Sequence, residues 1–98
     1  MKARRTIREE KTLDVEVEVE GGVIKHVEIS GDFFAYPSEA VEELEEALKG
    51  CGSVDCINSV FEKLRGVLLV GVKLGSLREA VISVFTSLTS ESYPGESK

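Results

Sequence analysis

At 98 residues the chain has room for one domain and one modest hydrophobic core. Hydrophobic residues make up 42% and charged residues 31%, a globular balance rather than a disordered one, and no window holds the roughly 18 consecutive apolar residues of a membrane helix. The net charge of −6 excludes an electrostatic nucleic-acid binder, because affinity for nucleic acid comes mainly from neutralising phosphates.

The charge is laid out in blocks. Residues 1–12 carry five Lys/Arg against two Glu, residues 13–49 two Lys against eleven acids, and residues 50–98 five of each. Lys2, Arg4, Arg5, Arg8 and Lys11 therefore read as a basic, solvated arm preceding an ordered core of about 12–88. The same stretch lacks the apolar segment of a signal peptide, so a soluble cytoplasmic protein is expected, with neither nucleic acid nor membrane as partner. There is no Gln and one Asn, Asn58, a depletion that leans towards a thermophilic source.

Leu13-Asp14-Val15-Glu16-Val17-Glu18-Val19-Glu20 alternates strictly, which predicts a strand with Leu13, Val15, Val17 and Val19 inward. Gly21-Gly22 is a two-residue hairpin turn, since both positions can take positive φ. A second strand runs from about Val23 to Ser30. A plain turn would set Glu16 against Val27; one extra residue at Lys25–His26 restores Val17 to Val27 and Val15 to Ile29, which predicts a β-bulge and an exposed His26.

Ser30 to Tyr36 follows a Gly-Asp turn signal with three aromatics, Phe33, Phe34 and Tyr36. It reads as a short third strand returning along the hairpin. Pro37 is placed at the first helical position. The helix runs to Gly50, with Ala40, Val41, Leu44, Ala47 and Leu48 as its apolar stripe and its glutamates on the other face. A second helix is expected over about Val54 to Arg65, striped by Ile57, Val60, Phe61 and Leu64. The apolar run Val67 to Val72 is too short to assign as strand or buried connection. Ser76 and Glu79 form a capping box opening a third helix to about Leu88, with Leu77, Ala80, Val81, Val84, Phe85 and Leu88 inward. Thr89 to Lys98 reads as a disordered polar tail.

Catalytic patterns are missing. There is no G-x-S-x-G elbow, no phosphate loop and no G-x-G-x-x-G. His26 has only Glu28 beside it on its strand face. Glu39, Glu42, Glu43 and Glu46 read as a solvated helix face, because no loop wraps a cation there. Cys51 and Cys56 cannot complete a tetrahedral zinc site. They read as two half-buried thiols, with a disulfide bracing the turn as the geometrically allowed alternative. Gly31, Asp32, Phe33, Phe34 and Tyr36 stand out, since aromatics beside a glycine are typical of an interaction surface. With His26 they form the candidate partner-binding set.

The stretch from Glu18 through Gly21-Gly22, Ile24, Val27, Ile29 and Gly31-Asp32-Phe33-Phe34, leading into Pro37–Gly50, resembles the small C-terminal domain of lipoate–protein ligases. The resemblance spans about residues 12–88, is sharpest up to Gly50, and is closest to the version encoded as a separate subunit. It implies an α+β fold, a three-stranded antiparallel meander packed against about three helices. That fold is shared with iron–sulfur scaffold and sulfur-acceptor proteins, the alternative reading. Those relatives carry a cysteine near the hairpin end, where this chain has Asp32 and Phe33. The ligase resemblance implies a non-catalytic accessory subunit beside a large catalytic subunit, with a lipoyl carrier domain as an indirect partner. ATP, magnesium and lipoate would then be held by the large subunit, and none of them by this chain.

Overall fold

The alternating segment anchors the structure. In the computed structural model, which describes residues 1–64 and 66–89, Leu13, Val15, Val17 and Val19 lie on one face of strand β2 (Thr12–Glu20) and are buried. Strand β3 (Val23–Gly31) pairs antiparallel with β2 through the Gly21-Gly22 turn, both glycines at positive φ. The ladder sets Val17 opposite Val27 and Val15 opposite Ile29, then shifts so that Val19 faces Ile24. Lys25 is the extra residue, so the bulge lies where the alternation requires it. His26 is exposed opposite Glu18.

The basic arm is a correction. Lys2–Arg8 form strand β1, paired with the free edge of β2 from Lys2–Glu18 to Arg8–Thr12. Only Ala3 and Ile7 carry apolar side chains to the core, and Arg5 between them hides the alternation. The outward residues meet the acids of β2: Lys2 pairs with Glu16 at 3.4 Å, and Thr6 donates to Asp14. The predicted three-stranded sheet therefore exists, in the order β1-β2-β3, with a different third member.

The aromatic segment does not return along the hairpin. Phe34–Tyr36 form strand β4, which pairs antiparallel with β5 (Leu68–Val70) in a separate two-stranded ribbon. The outer edge of β3 is already occupied. Ile24 N–H donates to the Cys51 carbonyl (2.8 Å), Gly50 N–H donates to the Ile24 carbonyl (2.8 Å), and Ile29 N–H donates to Glu45 Oε2 (2.8 Å).

Pro37 does not open the first helix. It follows a cis Tyr36–Pro37 bond and sits in a turn whose carbonyl accepts from Ala40 N–H. Helix α1 is Ala40–Leu48, and its buried stripe narrows to Ala40, Leu44 and Leu48, leaving Ala47 exposed. Helix α2 (Val54–Glu62) ends before the predicted Arg65. It is capped by Ser53, whose hydroxyl accepts from Cys56 N–H, and buries Ile57 and Phe61. Helix α3 (Leu74–Thr89) begins two residues before the predicted capping box. Ser76 instead lies in its first turn and donates to Glu9 Oε2, while Glu9 Oε1 accepts from Lys73 N–H. A carboxylate from the β1–β2 turn thus supplies the cap. The inward set from Leu77 to Leu88 is buried as predicted.

Helix α3 covers β1 and β2, α1 covers β3, and α2 joins the two helices. Each large side chain fully buried between sheet and helices contributes roughly 1.5–3 kcal/mol. The result is an α+β fold with a three-stranded antiparallel sheet and three helices. The polar tail expected beyond Thr89 lies outside the described residues. No helix among the described residues is long and apolar enough to cross a membrane.

Candidate docking surface

The β4–β5 ribbon gathers what the sequence left scattered. Phe34 lies opposite Val70, Ala35 opposite Leu69 and Tyr36 opposite Leu68. Because side chains alternate along both strands, Ala35 and Leu69 turn inward and are half-buried. The other four form the outer face: Phe34, Tyr36 and Leu68 are each 58% exposed and Val70 is 41% exposed. Together they present on the order of 400 Å² of largely apolar surface, the scale of the largest patch on a typical monomer, which is often functional.

The ribbon is held at one end, where Phe34 faces Val70, through both of its strands. Asp32 Oδ1 accepts from Thr12 N–H (2.8 Å), and Asp32 N–H donates to the Thr12 carbonyl (3.1 Å). Gly31 precedes it at φ +148°, where an added Cβ would lie 2.2 Å from the Thr12 carbonyl oxygen. Only glycine lets the chain pass this close to β2 as it leaves the sheet. At the same end, on the β5 side, Lys11 N–H donates to the Gly71 carbonyl (2.9 Å), and the Lys11 side chain lies over Gly71. Glu9 ties the same turn to α3, and its carboxyl is held below the ordinary value of 4.5 by the Ser76 hydroxyl and the Lys73 amide.

The sequence-predicted set therefore separates by role. Phe34 and Tyr36 are on the open face. Phe33 packs against the core half-buried. Gly31 and Asp32 shape the turn that aims the ribbon. His26 stands five residues before Gly31 on β3, roughly 17 Å away at the rise of a strand, and does not join the patch. Leu68 and Val70 lie outside that predicted set. They lie in a continuous apolar run between Gly66 and Gly71, which carries no alternation, so their outward turn becomes legible only once the partner strand is known.

Cys51 and Cys56 are joined in a disulfide across the α1–α2 junction, so the paired alternative holds and neither thiol is free. No group of three or more His, Cys, Asp or Glu among the described residues is placed to hold a metal ion.

Three comparisons relate the chain to known proteins. The family model described as bacterial lipoate protein ligase C-terminus matches residues 12–65, the segment from β2 through α2 that includes β4. The chain is 36% identical over 61 residues to lipoate-protein ligase A subunit 2 of Thermoplasma acidophilum, a match spanning 60% of this chain and 64% of that protein's length. A solved chain from a structural study of an archaeal lipoylation system, a bipartite lipoate protein ligase and its E2 lipoyl domain from the same organism, superposes with a TM-score of 0.65. It is 27% identical, and the superposition covers 87% of this chain and 94% of that one.

Proposed function

The chain belongs to the lipoate protein ligase C-terminal family, and on that premise we propose that it is a non-catalytic accessory subunit that docks on a large catalytic ligase subunit. The observation that carries the docking is the open face of the ribbon, Phe34, Tyr36, Leu68 and Val70. A binding partner that covers it removes aromatic and aliphatic surface from water, which is how small interfaces obtain most of their affinity.

In this reading ATP, magnesium and lipoate bind the large subunit, which joins the lipoate carboxylate to the ATP α-phosphate, releasing pyrophosphate. The acyl group then passes from the adenylate to a lysine amine of a carrier domain, forming an amide and releasing AMP. The small subunit contributes by ordering loops around that site and excluding water while the adenylate forms. The sulfur-acceptor or iron–sulfur reading has no observation in its favour: Cys51 and Cys56 are bonded to each other, and Asp32 and Phe33 stand where its cysteine belongs.

The test is pyrophosphate release in the presence of ATP and lipoate. The chain alone should release none, and adding it to the large subunit should switch release on. A large subunit whose adenylation rate is the same with and without this chain would refute the accessory role.

A further inference from the structure

The sheet has one closed edge and one open edge. Main-chain groups of Gly50 and Cys51 and the Glu45 carboxylate close β3. On the far side, β1 pairs only with β2 among the described residues. Met1 and Val19 exchange both main-chain bonds, at 2.9 and 2.7 Å. Such pairs recur at every second residue of an antiparallel ladder. Ala3, Arg5 and Ile7 therefore turn their amides towards β2, while Lys2, Arg4, Thr6 and Arg8 present theirs to the open edge.

We propose that this edge is a strand-addition site for an acidic, extended segment of a partner protein. Open edges template pairing with another chain, and the side chains here decide which. The residues with free amides are also those of the outer face, and three of the four are basic. Where β2 pairs with β1, it sets Glu18 and Glu16 opposite Lys2 and Arg4. A segment with acids at alternate positions repeats that match on the other side. A second copy does not, because two β1 strands would set basic residues against each other, which destabilises a pair.

The inward residues of an added strand also have a place. A groove of about 420 Å³ runs between β1 and α3, bordered by Arg5, Ile7 and Glu9 on one side and by Ser76, Glu79 and Ser83 on the helix. Its lining is polar, with charges of both signs beside the hydroxyls of Ser76 and Ser83, and suits short uncharged polar side chains. Arg5 crosses it to donate to Ser83 Oγ (3.1 Å). The site lies across the sheet from the β3 edge and does not depend on the ligase reading.

The probe is a fluorescent seven-residue peptide of alternating threonine and glutamate, titrated with the full chain by anisotropy. It should bind at least tenfold tighter than the threonine–lysine peptide and weaken in 0.5 M salt. N-methylation at its glutamates, whose amides would face the edge, should abolish binding, and Arg4→Glu with Arg8→Glu should weaken it at least tenfold. Equal affinity for the acidic and basic peptides, or unchanged binding after N-methylation, overturns the proposal, as does self-association of the chain through this edge. The peptide comparisons use the unaltered chain and decide the matter even where the double variant folds poorly.

Discussion

Phe33 and Phe34 are adjacent, chemically identical and turned to opposite sides, so truncating each separates folding from docking. Phe34 is 58% exposed. With about 200 Å² on a phenylalanine, docking would take roughly 110 Å² out of water. At ~25 cal/mol per Å² this is about 3 kcal/mol, or about a hundredfold in Kd. Phe34→Ala should therefore weaken large-subunit binding by up to about a hundredfold, while changing the chain's own stability by less than about 0.5 kcal/mol, as exposed substitutions do. Phe33 packs half-buried against the core, so Phe33→Ala should cost about 2–3 kcal/mol of stability, below the range of a fully buried phenylalanine. Calorimetric titration against the large subunit, with denaturant unfolding of each variant, measures both quantities. A Phe34→Ala variant that binds within threefold of the parent, or one that unfolds as readily as Phe33→Ala, refutes the docking face.

The disulfide closes a loop with a sequence separation of 5, for which the chain-entropy relation gives about 2 kcal/mol. Reductant should lower the thermal midpoint by roughly 10 °C in the parent chain and not in Cys51→Ala with Cys56→Ala; equal shifts in both would show that the bond contributes nothing. Glu9 has its folded-state pKa lowered below 4.5 by hydrogen bonds from Ser76 and Lys73. Its contribution is therefore present above pH 4.5 and lost as pH falls through the lower folded-state value. In thermal melts from pH 7 to pH 3 the gap between parent and Glu9→Gln should narrow across that window; parallel curves would remove Glu9 from the cap of α3.

What the sequence determined alone was local in origin. The alternation of 13–20, the double glycine and the need to keep Val17 on Val27 specify a hairpin and its bulge, because side-chain period and turn geometry act between near neighbours. The inward residues of α3 follow from a 3.6-residue period in the same way. Tertiary structure decided the rest. Lys2–Arg8 has only two apolar inward residues and becomes a strand because β2 offers it an unpaired edge and a row of acids. Phe34–Tyr36 and Leu68–Val70 are three residues each, too short to declare a partner, and the occupied edge of β3 sends them to each other. The α3 cap comes from Glu9, 64 residues away from Lys73 in the chain, so no local motif announces it. The docking face belongs to this second class, because it exists only where two distant strands meet with their larger side chains turned outward.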